Sequence, residues 1–143
     1  MAYALDRFIV EQERTYVAAL AELRRGRKTG HWIWFVFPQL VGLGRSELSR
    51  HYAVTSLDEA RAYLAHPVLG ARLDESVAAL LATNGRSAAE ILGSIDAVKV
   101  RSSMTLFHRA APDDPVFAEV LARFYGSVAD PSTDALLGSA EVE

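Results

Sequence analysis

Residues 31–39 read His31-Trp32-Ile33-Trp34-Phe35-Val36-Phe37-Pro38-Gln39, six apolar residues in a row between a histidine and a proline. Such a run is either a buried strand or a short buried helical turn, and periodicity does not separate the two. The rest of the chain decides. No other segment reads convincingly as a strand, and a lone strand has no partner for its backbone N–H and C=O groups. The run is therefore read as a short buried helical turn, and the fold class as all-α.

Composition points the same way. Alanine and leucine, at 23 and 17 residues, make up more than a quarter of the 143, while Val, Ile and Thr are few, a balance that favours helix. Outward from the aromatic run, Phe8, Ile9, Tyr16, Ala19, Leu20 and Leu23 recur at three- and four-residue spacing, with Asp6 placed to cap that helix and Gly26 to end it. On the other side, Ser46 caps a short helix to about Tyr52. Two capping-box patterns follow, Ser56 with Glu59 and Ser87 with Glu90. Between them Pro67 stands as a first helical residue before the stripe Leu69, Leu73, Val77, Leu80 and Leu81. Asp96 opens a helix carrying Val100, Met104 and Phe107 on one side, Pro115 opens one to Tyr125, and residues 131–137 hold a last short turn. The expectation is a single compact domain of about seven helices over residues 1–137, with short connections and a frayed tail over 138–143.

With no cysteine, the chain has no thiolate zinc site, disulfide framework or cysteine nucleophile. Charged residues in the first turns leave no apolar signal-peptide core, and no run approaches the roughly 20 apolar residues of a membrane span. A cytoplasmic protein is the expectation. The net charge of −3 hides an uneven distribution: +3 over residues 1–50, zero over 51–110 and −6 over 111–143. Most of the positive part is one cluster, Arg24, Arg25, Arg27 and Lys28. A polynucleotide partner calls for a high pI and a broad basic stripe, whereas this chain has a pI near 5.8. A small anionic ligand fits better.

Two segments carry candidate chemistry. In the first, an aromatic wall of Trp32 and Trp34 beside Lys28 and His31 suits a ring with phosphates, and Gln39 is an amide that must find partners at the end of a buried run. In the second, Lys99 and Ser103 are four apart on one helical face, with Ser102 on the adjoining edge, a pattern that holds a phosphate or carboxylate. Each has a structural alternative: plain core packing for the aromatic run, and an Asp96–Lys99 pair with back-bonded serines for the second segment. The four histidines, His31, His51, His66 and His108, stand at no metal-binding spacing. No cofactor and no metal site are expected.

The strings from His31 to Gly44, from Tyr63 to Leu73 and from Lys99 to Phe107 are together similar to the bacterial domain-of-unknown-function family 1810, and the likeness extends from about residue 5 to residue 137. The resemblance implies a compact all-helical fold. It also implies kinship with the YbiA-like superfamily, whose NADAR branch is associated with NAD and ADP-ribose chemistry, including hydrolysis of ADP-ribosyl N-glycosidic bonds. The acidic, histidine and aromatic signature of that branch is not recognisable here, so no catalytic residue carries over.

Two functions follow as expectations. One is a nucleotide or ADP-ribose-like ligand held by Lys28, His31, Trp32, Trp34, Gln39, Lys99, Ser102 and Ser103. If the protein is an enzyme, the reaction to test is hydrolysis of an ADP-ribosyl N-glycosidic bond, for which Asp96 and Glu47 are the carboxylates considered. The other is a non-enzymatic helical interaction module whose aromatic run packs a protein partner or a homodimer.

Overall fold

Helix α1 (Asp6–Arg24) follows its periodicity, burying Phe8, Gln12, Tyr16, Ala19 and Leu23 along one stripe. Leu5 occupies the cap position without a side-chain bond, and Asp6 lies in the first turn, where a carboxylate favours the positive end of the helix. At the other end the Gly26 N–H donates to the Leu23 carbonyl and the Arg27 N–H to the Glu22 carbonyl, both at 3.0 Å. That pair of bonds needs a left-handed residue between them, and Gly26 supplies it at φ 74°.

The computed structural model describes residues 3–44 and 46–142, with side chains as far as residue 138. Within them the aromatic run forms helix α2 (Ile33–Val36). The nearest approach to strand pairing is one parallel bridge between Leu40 and Val54, in which the Val54 N–H donates to the Gln39 carbonyl and the Val41 N–H to the Val54 carbonyl, each at 2.8 Å. Helix α3 (Glu47–His51) and helix α4 (Leu57–Ala65) start on Ser46 and Ser56 as expected. The capping box expected at α4 does not close. Glu59 accepts instead from the Thr55 N–H at 2.7 Å and from Arg7 at 3.2 Å, which ties the loop before α4 to α1.

Helix α5 (Leu69–Ala82) begins two residues after Pro67. His66 takes up its loose N–H groups, accepting at Nδ1 from Val68 and Leu69. Gly70 lies against α4 so closely that a β-carbon there would overlap the Leu64 carbonyl. Helix α6 (Ala88–Leu92) carries the closed capping box of Ser87 and Glu90.

Helix α7 (Ser94–Ala110) starts two residues ahead of Asp96 and runs through the middle of the molecule. Every residue from Ser102 to Phe107 is buried, because α4, α6, α8 and α9 all pack on it. Helix α8 (Pro115–Tyr125) is capped by Asp114 and opens on its proline. Helix α9 (Pro131–Val142) is longer than the short turn read from residues 131–137; most of the frayed tail expected over 138–143 lies outside the described side chains. The fold class is all-α, with nine helices among the described residues. The aromatic run is the short buried helical turn expected from sequence, whereas the C-terminal segment is a longer helix than the turn read there. No described helix is long and apolar enough to cross a membrane.

Candidate functional site

The turn after α1 is built around one carboxylate. Glu22, buried in the last turn of α1, accepts at Oε1 from the Thr29 N–H at 2.6 Å, the Gly30 N–H at 2.8 Å and the Trp32 indole N–H at 3.0 Å. Burial by itself raises the pKa of this carboxyl, but the donors from Gly30, Thr29 and Trp32 outweigh it and hold the group below the usual glutamate range. Trp32 is thereby fixed in the core, 2% exposed. Sequence reasoning placed it on a ligand-facing wall; its indole N–H is instead spent on Glu22.

Lys28 leaves this turn and reaches the first turn of α7. Its Nζ lies 2.7 Å from Asp96 Oδ2, donates to the Gly30 carbonyl, and sits 5.0 Å from the Trp32 ring centre. Lys99 comes to the same carboxylate from the other side, 3.4 Å from Asp96 Oδ1. Its ammonium also lies 4.5 Å from the centre of the Trp34 ring, the geometry of a cation–π contact. Asp96 thus bridges two lysines. The Asp96–Lys99 pair offered as a structural alternative is present, as is a back-bond from the Ser102 hydroxyl to the Val98 carbonyl at 3.2 Å, and so is the contact with the aromatic run.

Two clefts meet at Trp34 and Lys99. The smaller, about 330 Å³, is lined by Lys28, His31, Trp34, Asp96 and Lys99 together with the start of α7. The larger, about 640 Å³, is lined by Trp34, Gln39, Lys99, Ser102 and Asp130 with serines at its edge. Ser94 and Ile95, the first residues of α7, border both. Gly93 stands at the cap of that helix and provides no side chain to cover its first N–H groups. Six of the eight residues singled out in the sequence therefore line one or both clefts. Trp32 and Ser103 line neither. Ser103 is fully buried on the inner face of α7, with a hydroxyl that has no hydrogen-bond partner among the described residues.

Sequence reasoning missed Asp130. This residue is 8% exposed and holds the start of α9, accepting at Oδ2 from the Thr133 N–H at 3.0 Å, the Thr133 hydroxyl at 2.6 Å and the Ser102 hydroxyl at 3.0 Å. Its own N–H donates to Thr105 Oγ1 at 2.9 Å, and Arg101 grips the Val128 and Ala129 carbonyls just before it. A signal was present: an aspartate followed by proline is a strong helix start. Glu47, weighed as a carboxylate for chemistry, lies elsewhere, in a shallow hollow with Arg50 and Tyr52. A separate apolar groove of about 320 Å³ between Leu40 and Leu136 is lined by no lysine or arginine among the described residues.

A solved structure with the same fold is the conserved hypothetical protein Rv1873 from Mycobacterium tuberculosis, 49% identical, with a TM-score of 0.92 over 94% of this chain and 96% of that one. No curated protein matches. The family model for the protein of unknown function DUF1810 matches residues 2–137, which include every residue named for the two clefts. The chain belongs to the DUF1810 family.

Proposed function

We propose that the paired clefts bind a phosphate-bearing small molecule of the nucleotide or ADP-ribose type. The observation that carries this reading is the position of Lys99, whose ammonium stands over Trp34 where the two clefts join. Of the two lysines on Asp96, Lys28 is held tightly at 2.7 Å and Lys99 loosely at 3.4 Å. Lys99 is therefore the cation an incoming phosphate can engage, and Lys28 adds its field from behind. The open N-terminus of α7 supports the same site with backbone N–H groups and the positive end of its dipole. Beside the cation, the half-buried Trp34 offers an aromatic surface for a ring.

The kinship with the YbiA-like superfamily that the family-1810 resemblance implies extends the reading to hydrolysis of an ADP-ribosyl N-glycosidic bond. In that reaction water adds to the anomeric carbon as the C–N bond breaks, and the departing nitrogen takes up a proton.

A thermal-shift and calorimetric series with ADP-ribose, ADP and NAD tests the binding. A ligand at one hundred times its Kd stabilises the fold by about 2.7 kcal/mol, and no shift at millimolar concentration of any of the three overturns it. Release of free base from an ADP-ribosylated nucleobase, followed by chromatography, tests the hydrolysis separately.

A second reading draws on Ile95 and Val98, which are 73% and 59% exposed one turn apart on α7 and border the larger cleft. Such side chains suit a protein partner or a second copy of the chain. Native mass at micromolar concentration decides it: a dimer lost on Ile95→Ser favours this reading, and a monomer removes the second copy.

A further inference from the structure

Asp130 separates the two clefts chemically. The smaller cleft combines two lysines with one carboxylate and an open helix N-terminus, so it favours an anion. The larger cleft has a carboxylate on its wall, which opposes a phosphate, and Lys99 at its border, which opposes a cation. What remains favourable there is a neutral group rich in hydroxyl donors.

The way Asp130 is held fits that role. Three donors, from Ser102 and from both the backbone and hydroxyl of Thr133, all converge on Oδ2. No hydrogen bond from the described residues reaches Oδ1, and Asp130 lines the cleft although only 8% of the residue is exposed. Ser102, itself 3% exposed, locks the carboxylate from α7 while Thr133 locks it from α9. A carboxylate fixed by one oxygen and open at the other is arranged to accept from a ligand, and hydrogen bonds to an ionised acceptor are about twice as strong as neutral ones. Gln39, on the same cleft, adds an amide with both donor and acceptor capacity, and Trp34 adds an apolar face against which the C–H side of a sugar ring can lie.

We infer that the larger cleft is a sugar subsite in which Asp130 accepts hydrogen bonds from a vicinal diol, while the phosphate of the same ligand sits at Lys99. This inference rests on the proposed phosphate-ligand reading and names the part of the ligand that the second cleft recognises. No covalent step is involved, and Asp130 here is a specificity-determining residue.

The test compares ADP with 2′,3′-dideoxyadenosine 5′-diphosphate, which carries the same phosphates and base without the diol. Calorimetry on the wild-type protein is expected to give ADP an advantage of about ten-fold, the scale of losing one or two charge-assisted hydrogen bonds in a cleft open to water. Asp130→Asn keeps a side chain able to cap α9 and is expected to bind the two nucleotides equally, near the dideoxy value. Ser102→Ala, which removes only one of the groups that lock the carboxylate, is expected to reduce the advantage of ADP over the dideoxy nucleotide to about three-fold. This second variant keeps the subsite open to refutation even if Asp130→Asn fails to fold. Equal affinity of wild-type protein for the two nucleotides overturns the diol subsite and leaves the phosphate site standing. A wild-type preference that survives unchanged in folded Asp130→Asn also overturns it. Failure of wild-type protein to bind either nucleotide overturns the subsite, and it removes the phosphate-ligand reading as well when ADP-ribose and NAD also fail to bind.

Discussion

The Lys99 ammonium lies 4.5 Å from the centre of the Trp34 ring, and both side chains line both clefts. The two residues are far apart in sequence and meet because α7 packs on α2. The contact joins the cationic and aromatic features of the chain into one surface. It also positions a side chain that would otherwise be mobile, since a lysine loses up to about 2 kcal/mol of conformational freedom when fixed.

Asp96 restrains both lysines, so its removal has two effects of opposite sign. Asp96→Asn is expected to lower stability by about 2 kcal/mol, between the values for surface and buried ion pairs, because the well-buried Lys28 loses its carboxylate. The same change is expected to tighten ADP-ribose binding by roughly 3-fold, since a competing negative charge leaves the site. Chemical denaturation and calorimetry on one preparation check both. Loss of stability with no gain in affinity means that Asp96 does not compete with the ligand.

Glu22 organises the turn that presents Lys28 and His31. Glu22→Ala leaves the N–H groups of Thr29, Gly30 and Trp32 without their acceptor and is expected to cost ~3 kcal/mol. Because the folded-state pKa is lowered, the stabilisation from this carboxylate is present above the ordinary glutamate value of about 4.3 and is lost as pH falls through the lower folded value. The gap in stability between wild-type protein and Glu22→Gln is therefore expected to narrow on acidification below that value. Urea titrations across that range measure it, and a gap that widens instead contradicts the carboxylate's role.

Gly70→Ala tests the contact between α4 and α5. The added β-carbon overlaps the Leu64 carbonyl, a backbone atom that cannot rotate aside. The expected cost is about 2–3 kcal/mol, seen as a lower midpoint in thermal unfolding. A neutral result means the two helices can separate freely.

Asp74 is exposed on α5, where partial desolvation and the nearby Asp114 both push its carboxyl above the usual aspartate range. A raised acid pKa means that the charged form weakens the fold, so stability falls as pH rises through the unfolded and then the folded value. Asp74→Asn is expected to stabilise the protein at neutral pH by about 0.5 kcal/mol, a surface-scale effect. Denaturation midpoints of the two proteins measure it, and the gain is expected to vanish near about pH 3, below the ordinary aspartate value, where the carboxyl is already protonated.

The fold was legible because its decisive signals are local. Spacing of Phe8, Tyr16 and Leu23, serine caps at Ser46, Ser56 and Ser87, and the Gly26 ending all read directly off the chain and recur in the structure. The site was legible only where segments are rich in unusual residues. Lys28, His31, Trp34, Gln39, Lys99 and Ser102 meet at the clefts, but nothing local distinguishes Trp34 from Trp32. The difference is tertiary: Glu22, ten residues earlier, claims the Trp32 indole. Helical geometry likewise turns Ser103 into the core one residue after Ser102 reaches the cleft. Asp130 escaped notice because its partners Ser102 and Thr105 lie on a different helix, more than two dozen residues away.

Isothermal calorimetry with ADP-ribose on wild-type protein and Lys99→Ala addresses the central claim most directly. A phosphate held at Lys99 predicts saturable binding to the wild type and a loss of about ten-fold or more in Lys99→Ala, the value of a charge-assisted contact to phosphate, with little change in Tm. Absence of binding to the wild type at millimolar ligand, or equal affinity in the two proteins, contradicts it.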